Sequence, residues 1–503
     1  MGVVSSICES QFLVYIATDN GIFSYDKMKE TITYEYTLSE SLPSKQIKII
    51  LYDQFRDFFW IISNNKLLFR SSIGIFWRYA DTDFDLSGDI SIGYTNNFIV
   101  LKNSFNYFLL DPYNGGPIDS NTFNISKDNL LDYIDDNTSW SSSKDDLFIN
   151  IDNYIPPSGW DIRYNKISNH YDSSTYTITS TYKDSEQNTW FGTDKGMIIK
   201  VPSYSYRMEF INCGPTRNQS TISYNHNGKY IIGDNMFLRT GRFTSNIIGS
   251  NILSVFDFLQ NDWNYIDVRF GDSGSLDIND ILVVNDKIYL ATMNGLSIYN
   301  LNDDSRKFIS LESGLTDNVL WNLEYNNDII YAATSKGISE ISIILDDVVK
   351  SSNKLIDMFN DIEVYDVKFY NQKIYVSCIE GVFQLDFSIK EAIQLTEKRF
   401  REIDFYDNFI IGNDKNLWIL DLVSYHHKEL ARNVDNFSVV DNYVWINKRE
   451  KALLYNLDNH EKSILNNNNG IPGTRLYNII ADSIDVMFIS NEGIGIYDWS
   501  KNE

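Results

Sequence analysis

Several protein classes are excluded by what this chain has little of. Among 503 residues there are only three cysteines, Cys8, Cys213 and Cys378. Three thiols so far apart give neither a disulfide framework nor the spacing of a zinc site, and read as small buried hydrophobes. No run of about 18 apolar residues exists, so no membrane-crossing helix is expected. No basic segment followed by an apolar stretch opens the chain, so no secretory leader is read there. Gly2 and Ser6 meet the loose myristoylation pattern, but Met1 to Ser6 reads better as the start of a strand. Basic residues are scarce: 43 Lys and Arg against 68 Asp and Glu give a formal charge of −25. That balance argues against nucleic-acid binding and against docking on an anionic membrane, both of which call for cationic patches. Prolines number only eight, yet no segment holds a 3.6-residue apolar period for three turns, so helices are not expected.

The chain is not short of hydrophobic residues. Apolar residues make up 43% and charged residues 22%, too hydrophobic a balance for a disordered chain. Aromatics reach 15%, which favours strands. The strongest signal is a repeat. Tyr15 to Asp26 reads YIATDNGIFSYD, Tyr289 to Asn300 YLATMNGLSIYN, Tyr331 to Ser342 YAATSKGISEIS, and Tyr375 to Asp386 YVSCIEGVFQLD. Phe191 to Val201 and Phe488 to Asp498 follow the same plan. Each is an apolar run, a small residue, a tight turn ending in Gly, and a second apolar run, which is the pattern of a β-hairpin. The turn recurs at Gly21, Lys66, Ser104, Asn153, Gly196, Met236, Gly295, Gly337, Gly381, Asn416, Lys451 and Gly493. A unit of about 40 to 45 residues holding four strands is a propeller blade. In the first unit the strands are expected at Ser6 to Glu9, Phe12 to Thr18, Gly21 to Asp26 and Thr31 to Leu38.

Twelve turns exceed the roughly four to eight blades of one ring. The expectation is therefore an all-β chain of two tandem propellers with about twelve blades, six and six, with seven and five as the alternative. The longest gap between turns separates Met236 from Gly295, which places an N-terminal propeller over 1–240, a crossover over 241–275 and a C-terminal propeller over 276–503.

The repeat resembles the two-component-regulator type of propeller repeat, which joins a Gly-Leu turn, a Trp-containing strand, Gly-Thr and a second Gly-Leu. Gly314-Leu315-Thr316-Asp317-Asn318-Val319, followed by Tyr331 to Ile338, carries the resemblance, as does Asn188 to Met197; Gly470-Ile471-Pro472 before Ile489 to Ile494 is a third echo. The resemblance covers most of the chain, closely from Gly271 to Asp386 and loosely from Asp85 to Ser168. It implies a rigid propeller of the kind found in ligand-sensing ectodomains of bacterial hybrid kinases and in secreted or envelope proteins. This chain carries no kinase segment and no membrane helix, so the resemblance implies fold more than activity. It also implies an extracytoplasmic setting, although no export signal is read. The final unit offers strands at Tyr477 to Ala481, Asp485 to Ser490 and Gly495 to Trp499 and no fourth. Two expectations follow: a closing strand upstream of Met1, or a last blade of three strands.

Sites for chemistry are sparse. The histidines His170, His226, His426, His427 and His460 show no ligand spacing, and the adjacent pair would point to opposite faces of a strand. No nucleophile elbow, phosphate loop or dinucleotide fingerprint occurs. Asp272 to Asp277 and Asp184 to Asn188 approach calcium loops but lack the full ligand alternation, and read as solvated turns. Trp60, Trp190, Trp418 and Trp445 are expected between blades; Trp140, Trp160 and Trp263 lie in irregular segments and are expected to fold onto the ring rather than to stack on a partner. No cofactor, metal or catalytic residue is assigned. The leading expectation is a non-enzymatic binding or scaffold protein that holds a protein or glycan on its loop faces. The rivals are a propeller lyase or glycan hydrolase with its site at a channel mouth, and a ligand-sensing or envelope-assembly component.

Overall fold

A computed structural model describes residues 2–19, 21–36, 42, 46–74, 76–82, 84–103, 107–118, 139–142, 151–169, 175–211, 214, 222–226, 229–233, 237–238, 242–243, 252–257, 262–268, 277–349, 354–467, 471–491 and 493–499. Nearly every regular element among them is a strand; the one α-helix is the four-residue Lys354–Asp357. The chain divides into unit 1, residues 1–213 with 260–263, and unit 2, residues 214–259 with 264–503. This division precedes the expected boundary at 240. Within 241–275, read as a crossover, the strands Ile252–Asp257 and Asp262–Asp267 complete a sheet begun by Ile222–His226.

Among the described residues, unit 2 holds seven antiparallel sheets of three or four strands, besides a two-stranded pair formed by Phe237–Leu238 and Arg242–Phe243. Their innermost strands are Ile222–His226, Ile278–Val284, Leu320–Asn326, Val364–Tyr370, Glu402–Tyr406, Phe437–Val440 and Leu476–Ala481. Each packs on the next and the last packs on the first, so the sheets close into a ring. This is a β-propeller. Six of the sheets have four strands; the seventh has three among the described residues, ending with Gly493–Asp498.

Unit 1 is less regular. Val4–Glu9 and Ile47–Asp53 open two four-stranded sheets. In a third, Ser139–Ser142 pairs on the open side of Ser91–Tyr94; a fourth runs through six strands from Trp160–Arg163 to Glu209–Ile211. Val4–Glu9 packs on both Ile47–Asp53 and Thr175–Lys183. The four strands expected in the first unit appear as Val4–Glu9, Leu13–Thr18, Gly21–Asp26 and Thr31–Tyr36.

The recurring turns follow from local chemistry. At the second-to-third strand turn a hydroxyl bonds to the glycine carbonyl three residues on: Thr18 to Gly21 at 3.0 Å, Thr292 to Gly295 at 2.7 Å, Thr334 to Gly337 at 2.9 Å and Ser490 to Gly493 at 2.9 Å. Gly381 has a φ of 131°, and a Cβ there would lie 2.1 Å from the Thr396 carbonyl oxygen, so only glycine fits. Where Lys66 replaces glycine, Asn64 and Asn65 supply the positive φ, 49° and 56°. The turn read at Asn153 is instead the end of a 3-10 turn, Ile151–Asn153, while Ser104 and Met236 lie outside the described residues. The third-to-fourth strand turns are capped by Asp, Asn or Ser: Asp421 Oδ1 accepts from the Val423 and Ser424 amides at 2.7 and 3.2 Å, and Asn456, Asp386, Ser342 and Asp26 act alike.

The core is a set of wedges between neighbouring sheets rather than one centre. Tyr331, Ala333 and Ile338 of the third sheet of unit 2 pack with Val364, Val367 and Val376 of the fourth. Trp60 and Trp445 are buried in such wedges, as their place in the repeat predicts, and Trp190 is fully buried beside Tyr25 of another sheet at a ring distance of 5.0 Å. Trp418 is half-buried under Lys398. Trp140 covers Gly93 and Trp160 packs on Tyr176 and Phe210, as expected of side chains folded onto their own unit, and Trp263 is buried.

Candidate functional site

Most residues singled out from the sequence lie apart from one another. His426 and His427 are exposed, His460 accepts or donates one bond at 3.0 Å to the Tyr455 hydroxyl, His170 lies outside the described residues, and the His226 side chain is likewise not described. Of the two acidic loops, 272–276 lies outside the described residues. The other, Asp184 to Asn188, is exposed at Ser185, Glu186 and Gln187, but Asp184 and Asn188 at its ends are buried. Asp184 accepts from the Trp190 indole at 2.8 Å and from Asn188 Nδ2 at 3.0 Å, so its carboxylate is spent on fixing the tryptophan.

The polar groups that do converge line the inner strands of unit 2. Four of those strands begin with an apolar residue, one residue of bulge, then Asp or Asn, then an apolar residue: Ile278 to Ile281, Leu320 to Leu323, Val364 to Val367 and Leu476 to Ile479. A bulge re-aims the side chain that follows it. In three of the four it turns the polar group toward the next sheet, whereas Asn478 accepts from Asn436 of the preceding sheet. Asp280 Oδ2 accepts from the Leu323 amide at 2.8 Å, Asn322 Oδ1 from Val367 at 3.3 Å, and Asp366 Oδ2 from Ile403 at 2.7 Å. Glu324 Oε1 accepts from Phe369 at 2.9 Å, and Ser438 Oγ from Ala481 at 3.2 Å. The inner ring is thus laced by side chains that satisfy their neighbour's backbone. These residues were missed from the sequence. Their signal was available: Asp280, Asn322 and Asp366 recur with the repeat, each at the same offset from the glycine turn that follows.

One cation enters this ladder. Lys368 faces Asp366, Glu324, Asp404 and Asp280, with Nζ 3.9 Å from Glu324 Oε2. Burial alone would depress its ammonium pKa; the four carboxylates outweigh that and raise it. Burial raises Glu324, opposed by Lys368 and the Phe369 amide, and raises Asp404 against Lys368 and the Phe405 and Val439 amides. The Tyr224 hydroxyl is also raised by burial, then by Asp280. Solvent still reaches the group, since Lys368 keeps 31% of its side-chain exposure and Glu324 21%. Chemically, the cluster offers a fixed ammonium and two carboxyls held toward their neutral form. Among the described residues no three His, Cys, Asp or Glu are arranged to hold a metal ion.

Unit 1 joins its sheets differently, through buried ion pairs. Glu9 pairs with Lys27 and accepts from the Ser185 amide at 2.6 Å. Asp53, fully buried, binds Arg56 at 2.7 Å, and Arg56 also donates to the carbonyls of Thr95 and Asn96 on the next sheet.

These features define a propeller protein whose inner polar residues serve mainly to hold sheets together. No protein-family model matches the chain, nor does any curated protein. Solved structures do. PorZ, a surface component of the type-IX secretion system of Porphyromonas gingivalis, aligns over 99% of this chain and 74% of its own, at 11% identity and a TM-score of 0.47. An extracellular domain from B. thetaiotaomicron, attributed to a hybrid two component system, aligns over 98% and 69%, at 12% identity and a TM-score of 0.42. The WD40 β-propeller domain of Doa1 covers 58% of this chain and 96% of its own, at 11% identity and a TM-score of 0.41.

Proposed function

We propose that this chain is a non-enzymatic binding or scaffold protein, built of tandem propellers, that holds a protein or glycan partner on the turns at the ends of its rings. The carrying observation is the ladder: Asp280, Asn322, Glu324, Asp366 and Ser438 are committed to backbone amides of neighbouring sheets. Groups held this way stabilise a rigid frame, while the turns stay exposed and vary in sequence. Exposed apolar side chains at those turns, among them Ile344, Leu345, Ile389 and Val423, suit contact with a partner. In this reading unit 2 is a seven-bladed ring, in place of an even six-and-six division, and unit 1 is the second, less regular propeller, with the boundary near residue 213.

A second reading is favoured by one observation, the cluster of Lys368, Glu324 and Asp404. A carboxyl held toward its neutral form beside a fixed ammonium is the equipment of a general acid, and would suit a glycan hydrolase or lyase. The test is to incubate the purified chain with a panel of neutral and acidic polysaccharides and assay new reducing ends and unsaturated uronates. The binding reading expects no turnover. Turnover abolished by Glu324→Gln or Asp404→Asn, with the thermal melt unchanged, would replace it with the enzyme reading.

A further inference from the structure

The two ends of the unit 2 ring differ in charge, most of all on its last three sheets. One end carries the turns 407–408, 422–426, 441–442, 457–461 and 482–484, which hold five Asp and Glu and no Lys or Arg. Because antiparallel strands alternate direction, the turns 397–401, 414–416, 432–436, 448–451 and 471–475 lie at the other end. They hold nine Lys and Arg against four Asp and Glu. In a chain with a formal charge of −25 this rim is a local reversal.

Few of its cations are neutralised within the chain. Arg432 pairs with Glu429 at 2.6 Å, Arg449 takes both oxygens of Asp435 at 2.9 and 3.2 Å, and Lys398 lies 3.3 Å over the Trp418 ring. Arg399, Arg401, Lys415, Lys448, Lys451 and Arg475 have no carboxylate partner among the described residues, and all but the half-buried Lys448 are exposed.

We propose that this rim, on the fifth to seventh sheets of unit 2, docks a carboxylate-rich segment of a partner protein. The proposal rests on the binding reading above and names the surface and the chemistry of its partner. The rim already shows how it takes a carboxylate: Arg449 grips Asp435 with two parallel bonds, the geometry in which arginine holds carboxylates best. The net acidity of the rest of the chain disfavours an acidic partner elsewhere, so the approach is steered to this end. A long polyanion such as duplex nucleic acid, with about one charge per 1.7 Å, would run off the patch onto carboxylate-rich surface; a short acidic segment would not.

The test uses the full chain and a short fluorescein-labelled oligo-glutamate peptide, followed by anisotropy at low and physiological salt, with heparin and a DNA duplex as comparators. Saturable binding of oligo-glutamate, weakened by salt, is expected. The triple variant Arg399→Glu, Arg401→Glu, Lys415→Glu should weaken it at least tenfold with an unchanged thermal melt. Lys307→Glu with Lys390→Glu, away from the rim, should leave it unaltered. Absence of saturable binding, or equal binding by the triple variant, overturns the proposal. Preference for heparin or DNA overturns it in favour of a sulfate or phosphate polymer. A salt-sensitive dimer, seen by light scattering and lost in the triple variant, overturns it in favour of a second copy of this chain. None of these outcomes touches the binding reading, which fails on glycan turnover instead.

Discussion

Units 1 and 2 solve the same problem, holding sheet to sheet around their inner strands, with different chemistry. Unit 2 repeats one device: a bulge, then Asp or Asn, then a bond to the neighbour's amide, at Asp280, Asn322 and Asp366. Unit 1 keeps the bulge but places no Asp or Asn after it: the residue is Ser6, Ile49 or Ser180. Ser6 still accepts from the Ile50 amide, at 3.3 Å. The work passes instead to buried ion pairs, Glu9 with Lys27 and Asp53 with Arg56. A carboxylate bonded to neutral amides can be replaced piecemeal. A desolvated ion pair fails as a unit, because removing one partner strands the other's charge.

The largest expected effect therefore lies in unit 1. Arg56→Ala leaves the fully buried Asp53 without its cation and strips the Thr95 and Asn96 carbonyls of a donor. A loss of about 3–5 kcal/mol is expected, measured as a shift in urea denaturation. In unit 2, Asp280→Ala should cost only about 1–3 kcal/mol, from the Leu323 amide and the Asn322 side-chain amide it leaves without an acceptor, and Asp280→Asn about 1 kcal/mol or less because an acceptor remains. Equal costs for Arg56→Ala and Asp280→Ala would break the comparison.

The same contrast governs what the sequence displayed. Turns governed by a glycine at φ near 130°, at Gly21, Gly295, Gly337, Gly381 and Gly493, could be read directly, since no other residue is at ease there. So could the inter-sheet tryptophans Trp60, Trp190 and Trp445, which sit at repeat positions. Unit 1 was harder because its devices are unique. Nothing local tells Arg56 that its carbonyl partners lie about forty residues on, and Ser139–Ser142 joins a sheet whose other strands precede it by a long segment. The Asp184 loop was only partly legible for a related reason: nothing in the turn itself shows that the carboxylate's partner is an indole six residues on. The Lys368 cluster draws on four strands spread from Asp280 to Asp404, so only the ring brings it together.

A second contrast, inside unit 2, separates the seventh sheet from the rest. Gly381 and Gly493 share φ values of 131° and 136°, so Ala is strained at both. At Gly381 the new Cβ would also strike the Thr396 carbonyl, supplied by a fourth strand; at Gly493 nothing among the described residues lies within 4 Å. Gly381→Ala should lower stability by roughly 1–3 kcal/mol from strain plus the clash, and Gly493→Ala by less, from strain alone. Thermal melts of the two variants measure the difference, and a larger loss at Gly493 would show that a strand covers it in solution.

The smallest effects concern pH, and they distinguish turn carboxylates from ladder carboxylates by sign. Asp386 is held below its ordinary value by the Ser388 hydroxyl and the turn amides, and Asp421 by the Val423 and Ser424 amides. A group with a lowered folded pKa stabilises the protein above its unfolded value, and that contribution is lost as pH falls through the folded one. Glu324 and Asp404 are raised by burial, so they act the other way: they favour the fold when protonated and cost stability as pH rises from the ordinary carboxylate range through their folded values. Replacing a turn carboxylate, as in Asp421→Asn, should flatten the gain in stability between acid and neutral pH. Replacing a ladder carboxylate, as in Glu324→Gln, should steepen it, because a group whose contribution falls with pH is gone. Denaturation midpoints across that range decide the matter. A flatter profile for Glu324→Gln would mean that Lys368 dominates the site and that the ladder carboxylates, like those of the turns, are held in their charged form.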